Sequence, residues 1–210
     1  MALEARGIGL NRGGNTILHG VSFIARPGEF VSLIGPNGAG KSTLFACLAG
    51  EAKSQSGQVA FKGSLIANVG LQSLAQQRAV MWQDASAAAG LSVYDLVALG
   101  RVPHGDAAAR IGQVAIAEAL NTVDLTHLVE RRFETLSGGE RQRVDFARAL
   151  CQLHGVQQPL LMLDEPIASL DLKYQYLVMQ AARRFVDAGG CCVCVCWLTG
   201  QLLVWQIYWF

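Results

Sequence analysis

Three observations in this 210-residue chain predict an α/β fold with an N-terminal antiparallel β portion and an inserted helical subdomain. First, the short apolar runs Phe30-Val31-Ser32-Leu33-Ile34 and Leu160-Leu161-Met162-Leu163 read as buried strands, and each runs directly into chemistry-bearing residues. Second, a glycine-rich turn follows the first run and opens onto a helical pattern. Third, the stretch from about 91 to 140 is mainly helical in an otherwise alternating pattern.

Taken in order, the chain to about Gly28 reads as strands and turns, with turn signals at Arg12-Gly13-Gly14-Asn15 and Pro27-Gly28. Gly35-Pro36-Asn37-Gly38-Ala39-Gly40-Lys41-Ser42-Thr43 fits G-x-x-x-x-G-K-[ST]. Glycines let this backbone approach an anion, and the helix opening near Gly40 points free N–H groups and its dipole at a phosphate. Lys41 can reach β- and γ-phosphates, and the Ser42 hydroxyl is placed to ligate Mg²⁺. A nucleoside triphosphate is the ligand this pattern takes.

Gly57–Gly63 reads as a further short strand, and Ala79-Val80-Met81-Trp82 runs into Gln83 and a loop to Gly90. Ser92-Val93-Tyr94-Asp95 is a capping box that opens a helix through Leu99, which the segment Gly100–Gly105 stops. Val114–Leu120, continuing toward Leu128, is helix-like. Leu136-Ser137-Gly138-Gly139-Glu140 precedes a helix over Arg141–Leu153, so its N–H groups and hydroxyl form a second anion site. Asp164 and Glu165 stand at the carboxyl end of the second apolar run, where α/β folds bind ligands. Phosphoryl transfer to water needs a held Mg²⁺ and an oriented nucleophile. Asp164 suits the first need and Glu165 the second, and Gln83 could contact both metal and water. Asp171–Ala188 reads as an amphipathic helix ending at Gly189-Gly190.

The bulk numbers limit the partners. A net charge of +1 with 16% charged residues leaves no nucleic-acid footprint. With 51% hydrophobic residues and a mean hydropathy of +0.30, the chain suits a subunit that docks on something. Its start lacks the basic and apolar regions of a signal peptide, which predicts a cytoplasmic location. Of six cysteines, Cys47 and Cys151 read as packing residues, while Cys191, Cys192, Cys194 and Cys196 lack partners at zinc spacing.

The order Gly35–Thr43, Gln83, Leu136–Glu140, Leu160–Pro166 and Ser169-Leu170-Asp171 resembles the ATP-binding subunits of ABC transporters. This resemblance, from the start to about Val195, implies a P-loop NTPase with a RecA-like core, binding ATP and Mg²⁺ and coupling hydrolysis to transport. It implies two copies facing head to tail, with Ser137, Gly138, Gly139 and Glu140 acting in trans on the partner's nucleotide and Asp171 in a loop crossing the dimer interface. Glu165 and Gln83 then serve catalysis, and Ser42, Gln83 and Asp164 the metal. Two transmembrane permease subunits and, through them, a periplasmic binding protein are the implied partners, at the cytoplasmic face of a bacterial inner membrane. A DNA-repair or translation ATPase of the same class is disfavoured, because no coiled-coil insertion or tandem half is present.

Leu96–Gly105 is similar to a segment of iron-chelate, cobalamin and haem importers; Asp171–Tyr176 with Ala182–Phe185 looks most like the haemin importers. Iron-siderophore or cobalamin import is the alternative. His104 is read as a loop histidine near the membrane subunit, not a haem ligand. Two positions depart from the family. Arg12 stands where an aromatic residue stacks on adenine, and Trp197, followed by Leu198, stands where a switch histidine precedes an aspartate. The tail 196–210 is off-pattern. It reads as a shifted frame beginning near Val195, as a specialised ending, or as a membrane-spanning helix. The first is favoured and predicts that folded residues end near Val195, with ATP binding kept and hydrolysis impaired; a binding-competent, hydrolysis-defective subunit is the alternative function.

Overall fold

The strands divide between two sheets. The computed structural model describes residues 2–83, 90–196 and 206–209, the last four through their backbone alone. β1 (Leu3–Arg12), β2 (Asn15–Ala25), β4 (Ser56–Phe61) and β5 (Ser64–Leu65) form an antiparallel sheet in the order β2-β1-β4-β5. β3 (Phe30–Ile34), β6 (Arg78–Met81), β7 (Leu160–Asp164), β8 (Cys191–Val195) and β9 (Gln206–Trp209) form a parallel sheet in the order β6-β7-β8-β3-β9. Parallel strands need crossovers, and helices supply them: α1 (Lys41–Ala49) follows β3, and α6 (Leu172–Asp187) joins β7 to β8.

The apolar runs are buried on both faces, which is why they carry no polar alternation. Successive residues of β7 and β8 serve opposite cores. Leu160, Met162, Cys191, Val193 and Val195 pack with Leu44, Phe45 and Leu48 of α1 and with the antiparallel sheet. Leu161, Leu163, Cys192 and Cys194 pack with Val97, Ile116, Phe146 and Val178 on the other side. Each fully buried Leu or Val contributes about 1.5–3 kcal/mol, and a slip of one residue would exchange the two sets. All six cysteines are buried and free, as packing residues are.

The inserted subdomain comprises α3 (Val93–Ala98), α4 (Arg110–Thr122) and α5 (Gly138–Leu153) with short 3₁₀ turns between them. Ser92 caps α3 through the expected box with Asp95. The turn Gly100–Gly105 differs from expectation: instead of stopping the helix it continues as a 3₁₀ helix over Leu99–His104. Buried Arg101 holds that turn, donating to the Cys151 and His154 carbonyls and to both Asp106 oxygens. α2 (Leu71–Gln77) has no counterpart in the sequence reading, and with Leu74 as its one buried residue it carries little periodic signal.

The confidently folded part was expected to end near Val195. The backbone of Gln206–Trp209 pairs with Val31–Ile34 in register as β9, so ordered structure resumes beyond Val195. An uncharged run rich in β-formers covers a row of β3 backbone groups that would otherwise be an open edge. Trp197 and Leu198 lie outside the described residues. Among the described residues, no helix is long and apolar enough to cross a membrane.

Candidate functional site

The glycine-rich loop leaves β3 and enters α1 at Gly40, which takes φ +87°. A Cβ there would lie 2.8 Å from the Ile17 carbonyl oxygen, so backbone sign and space both require glycine. No side chain caps α1 and no acid stands in its first turn, which leaves its N–H groups for an anion. Buried Lys41 bends back across the loop, its Nζ donating to the Gly35 and Pro36 carbonyls at 2.9 Å each. Ser42 is exposed at the second position of the helix.

Asp164 and Glu165 close β7 beside this loop. Asp164 is 4% exposed, and its Oδ1 has no hydrogen-bond partner among the described residues. Burial, then the neighbouring Glu165 charge, push its carboxyl up to about 6 against the opposing pull of Lys41. A buried carboxylate oxygen left unpaired, within reach of the Lys41 charge, fits a hard divalent cation. Glu165 adopts φ +52°, a left-handed conformation that costs a non-glycine residue about 1 kcal/mol. It is held there by its N–H donating to the Val195 carbonyl at 3.0 Å. Its carboxylate accepts from Gln83 Nε2 at 2.8 Å. That bond commits the amide nitrogen of Gln83.

The raised Asp164 carboxyl has a testable sign. Its folded value near 6 lies above the ordinary 3.8. The proton it retains stabilises the folded chain below about pH 4, and that contribution is lost as pH rises through about 6. Asp164→Asn removes this loss. In thermal unfolding without nucleotide, the variant is expected to gain on the parent by roughly 2 kcal/mol between pH 4 and pH 7. A difference that does not change with pH would refute the assignment.

The helix start expected to be the second anion site is that of α5. Ser137 caps it, its Oγ accepting from the Glu140 N–H at 3.3 Å, and the Ser137 N–H donates to Glu140 Oε2 at 2.7 Å. Glu140, expected to face the partner's nucleotide, spends its carboxylate on this capping box. Gly138 and Gly139 back onto Ser169 and Leu170, whereas Gly40 backs onto Ile17 and Leu18 of β2. The two anion sites therefore have separate supports. Asp171 caps α6, accepting from the Tyr174 N–H at 3.1 Å. Arg12 is exposed at the end of β1.

The structure brings Lys41, Asp164, Glu165 and Gln83 into one constellation. Sequence reasoning missed Gln142 of α5, which bonds to the Glu165 carbonyl and to the Ser169 N–H. Its partners are 23 and 27 residues away, and no spacing rule signals such a contact.

A phosphate loop, a paired Asp-Glu strand end and a capped S-G-G helix on this two-sheet frame define an ATP-binding cassette. The chain belongs to the ABC transporter family, whose model matches residues 18–168. It is 44% identical over 194 residues to the hemin import ATP-binding protein HmuV of Methylobacillus flagellatus, spanning 91% of this chain and 72% of that protein. HmuV of Myxococcus xanthus is 41% identical over 202 residues, 93% of this chain and 74% of that one. Among solved structures, an ATP-binding subunit of an ABC transporter superposes with a TM-score of 0.83 at 23% identity, covering 94% and 80% of the two chains. A dimeric ATP-binding cassette in a post-hydrolysis state, bound to ADP and Pi, gives 0.77 at 23%, covering 92% and 87%. These two likenesses establish the P-loop NTPase fold. As an ABC ATPase the chain binds ATP and belongs to the machinery that energises transport.

Proposed function

We propose that this chain energises haemin import. ATP on the loop Gly35–Thr43 draws two copies together head to tail, and their closure works two transmembrane permease subunits fed by a periplasmic binding protein. The assembly sits at the cytoplasmic face of the bacterial inner membrane. The observation that carries this reading is one chain with two helix N-termini fit for anions, each backed by a different part of the fold. Neither closes over a nucleotide alone, and the loop of one copy facing Ser137-Gly138-Gly139 of the other completes a site. HmuV proteins, 40–44% identical, supply the haemin assignment.

In the closed pair Lys41 stabilises charge on the β- and γ-phosphates, and the α1 N–H groups hold the loop side of the triphosphate. Ser42, Gln83 and Asp164 would hold Mg²⁺, which when bound neutralises the charge shared by those phosphates. Glu165 accepts a hydrogen bond from the attacking water while Gln83 fixes the carboxylate's direction. Ser137, Gly138 and Gly139 meet the partner's γ-phosphate, and Glu140 keeps their helix start in shape. Asp171, rigid as the α6 cap, stands in the loop that crosses the interface.

Reconstitution with a permease pair and a haemin-loaded binding protein tests this. ATP-dependent haemin uptake is expected, and uptake of cobalamin or a ferric siderophore in its place would overturn the cargo assignment. Trp197 at the switch-histidine position favours a second reading, in which the chain binds ATP and closes without turning it over. Closure without phosphate release would select that reading.

A further inference from the structure

One side chain of α5 ties the signature helix to the turn that follows β7. Gln142 lies in the second turn of α5, five residues beyond its cap Ser137. Its Nε2 donates to the Glu165 carbonyl at 2.8 Å, and its Oε1 accepts from the Ser169 N–H at 3.1 Å. The orientation of this amide is fixed, because a flipped side chain would set oxygen against carbonyl and N–H against N–H. Gln142 thereby spans the turn that begins at Glu165 and leads to Asp171. The Ala168 N–H closes the same turn onto the Glu165 carbonyl at 3.3 Å. Ser169 and Leu170 in turn form the floor under the signature glycines: a Cβ at Gly139 would lie 3.1 Å from the Ser169 carbonyl oxygen and 3.4 Å from Leu170 Cδ2.

The neighbouring residue makes α5 a stiff lever. Arg143 is buried, donates to the Val123 and Asp124 carbonyls at 2.7 and 2.9 Å, and stacks 3.7 Å above the Tyr174 ring of α6. Tyr174 is the residue whose N–H Asp171 caps. The start of α5, the turn 165–170 and the start of α6 are thus bonded to one another. Among the described residues, Gln142 is the side chain of α5 that bonds to the backbone of Glu165, whose left-handed φ needs such support.

We propose that Gln142 is a positioning residue that couples the two nucleotide sites of the dimer. It ties the helix that meets the partner's ATP to the peptide of Glu165, which serves the chain's own ATP. Closure on one nucleotide then fixes the carboxylate at the other. The coupling rests on the head-to-tail reading above, whereas the positioning of Glu165 rests on this chain's own bonds.

Gln142→Met keeps the length and packing of the side chain and removes both bonds. Three quantities are read on the purified chain: ATP affinity of the monomer, the ATP concentration that half-closes the dimer by light scattering, and phosphate release. Monomer affinity is expected within about twofold of the parent, because Gln142 does not reach the loop Gly35–Thr43. The closure midpoint is expected to rise about tenfold, with a fall of similar size in the rate of phosphate release at saturating ATP and a loss of sigmoidality. A purely structural role would lower the melting temperature without separating closure from binding. If the parent never dimerises with ATP, the dimer reading fails. If the parent dimerises and Gln142→Met closes at the same ATP concentration, the role of Gln142 is overturned. Should the methionine variant fail to fold, Gln142→Glu, which keeps an acceptor for the Ser169 N–H, is read in the same way.

Discussion

Lys41→Ala is expected to abolish useful ATP binding while leaving the fold intact. The Lys41 ammonium is buried and holds the Gly35 and Pro36 carbonyls at 2.9 Å, so it both shapes the loop and carries the charge that meets the triphosphate. Charge-assisted hydrogen bonds are worth about 1.5–3 kcal/mol each, so losing this cation weakens binding on the order of 100-fold. The secondary structure and melting temperature of the nucleotide-free chain should change little, because α1 is buried mainly through Leu44, Phe45 and Leu48. Titration with a fluorescent ATP analogue measures the effect. Affinity within threefold of the parent would remove the loop from its central place.

Glu165→Gln is expected to separate binding from chemistry. The variant keeps the shape of the side chain, and the Val195 and Gln142 bonds to the Glu165 backbone are untouched. It loses the carboxylate that polarises water, a contribution of about 10²–10⁴ in rate. Phosphate release should therefore fall by about 100-fold or more, with ATP affinity unchanged and the ATP-bound dimer longer-lived. Phosphate release at the parent's rate would mean that water is activated elsewhere.

The parts of the site readable in the sequence are those whose chemistry demands particular residue types at fixed spacing. Gly35–Thr43 and Asp164-Glu165 are of this kind, and both stand where their strands end. The two-faced burial of β3 and β7 was legible because short apolar runs of this kind admit few other readings. Other features depend on contacts that only folding creates. Gln142 looks like any polar residue on a helix until the turn 165–170 comes to it. The left-handed Glu165 carries no glycine to announce it. β9 was unreadable because its pairing with β3 joins segments more than 170 residues apart. Glu140 was read for its chemistry in trans, and its bonds within this chain are those of the local capping pattern S-x-x-E.

The central claim is that a complete ATP site needs the loop of one chain and the signature helix of another. Mixing two defective chains tests it. Lys41→Ala spoils the loop and keeps the signature. Gly138→Asp spoils the signature and keeps the loop. An Asp at the first turn of α5 suits the helix dipole, and a Cβ at Gly138 meets nothing nearer than Ser169 Cβ at 3.9 Å, so this chain should fold. Its carboxylate repels a phosphate. Neither variant should dimerise with ATP alone, whereas the mixture should form dimers holding one ATP each. A mixture that stays monomeric, or a Gly138→Asp chain that closes as well as the parent, would contradict the composite site.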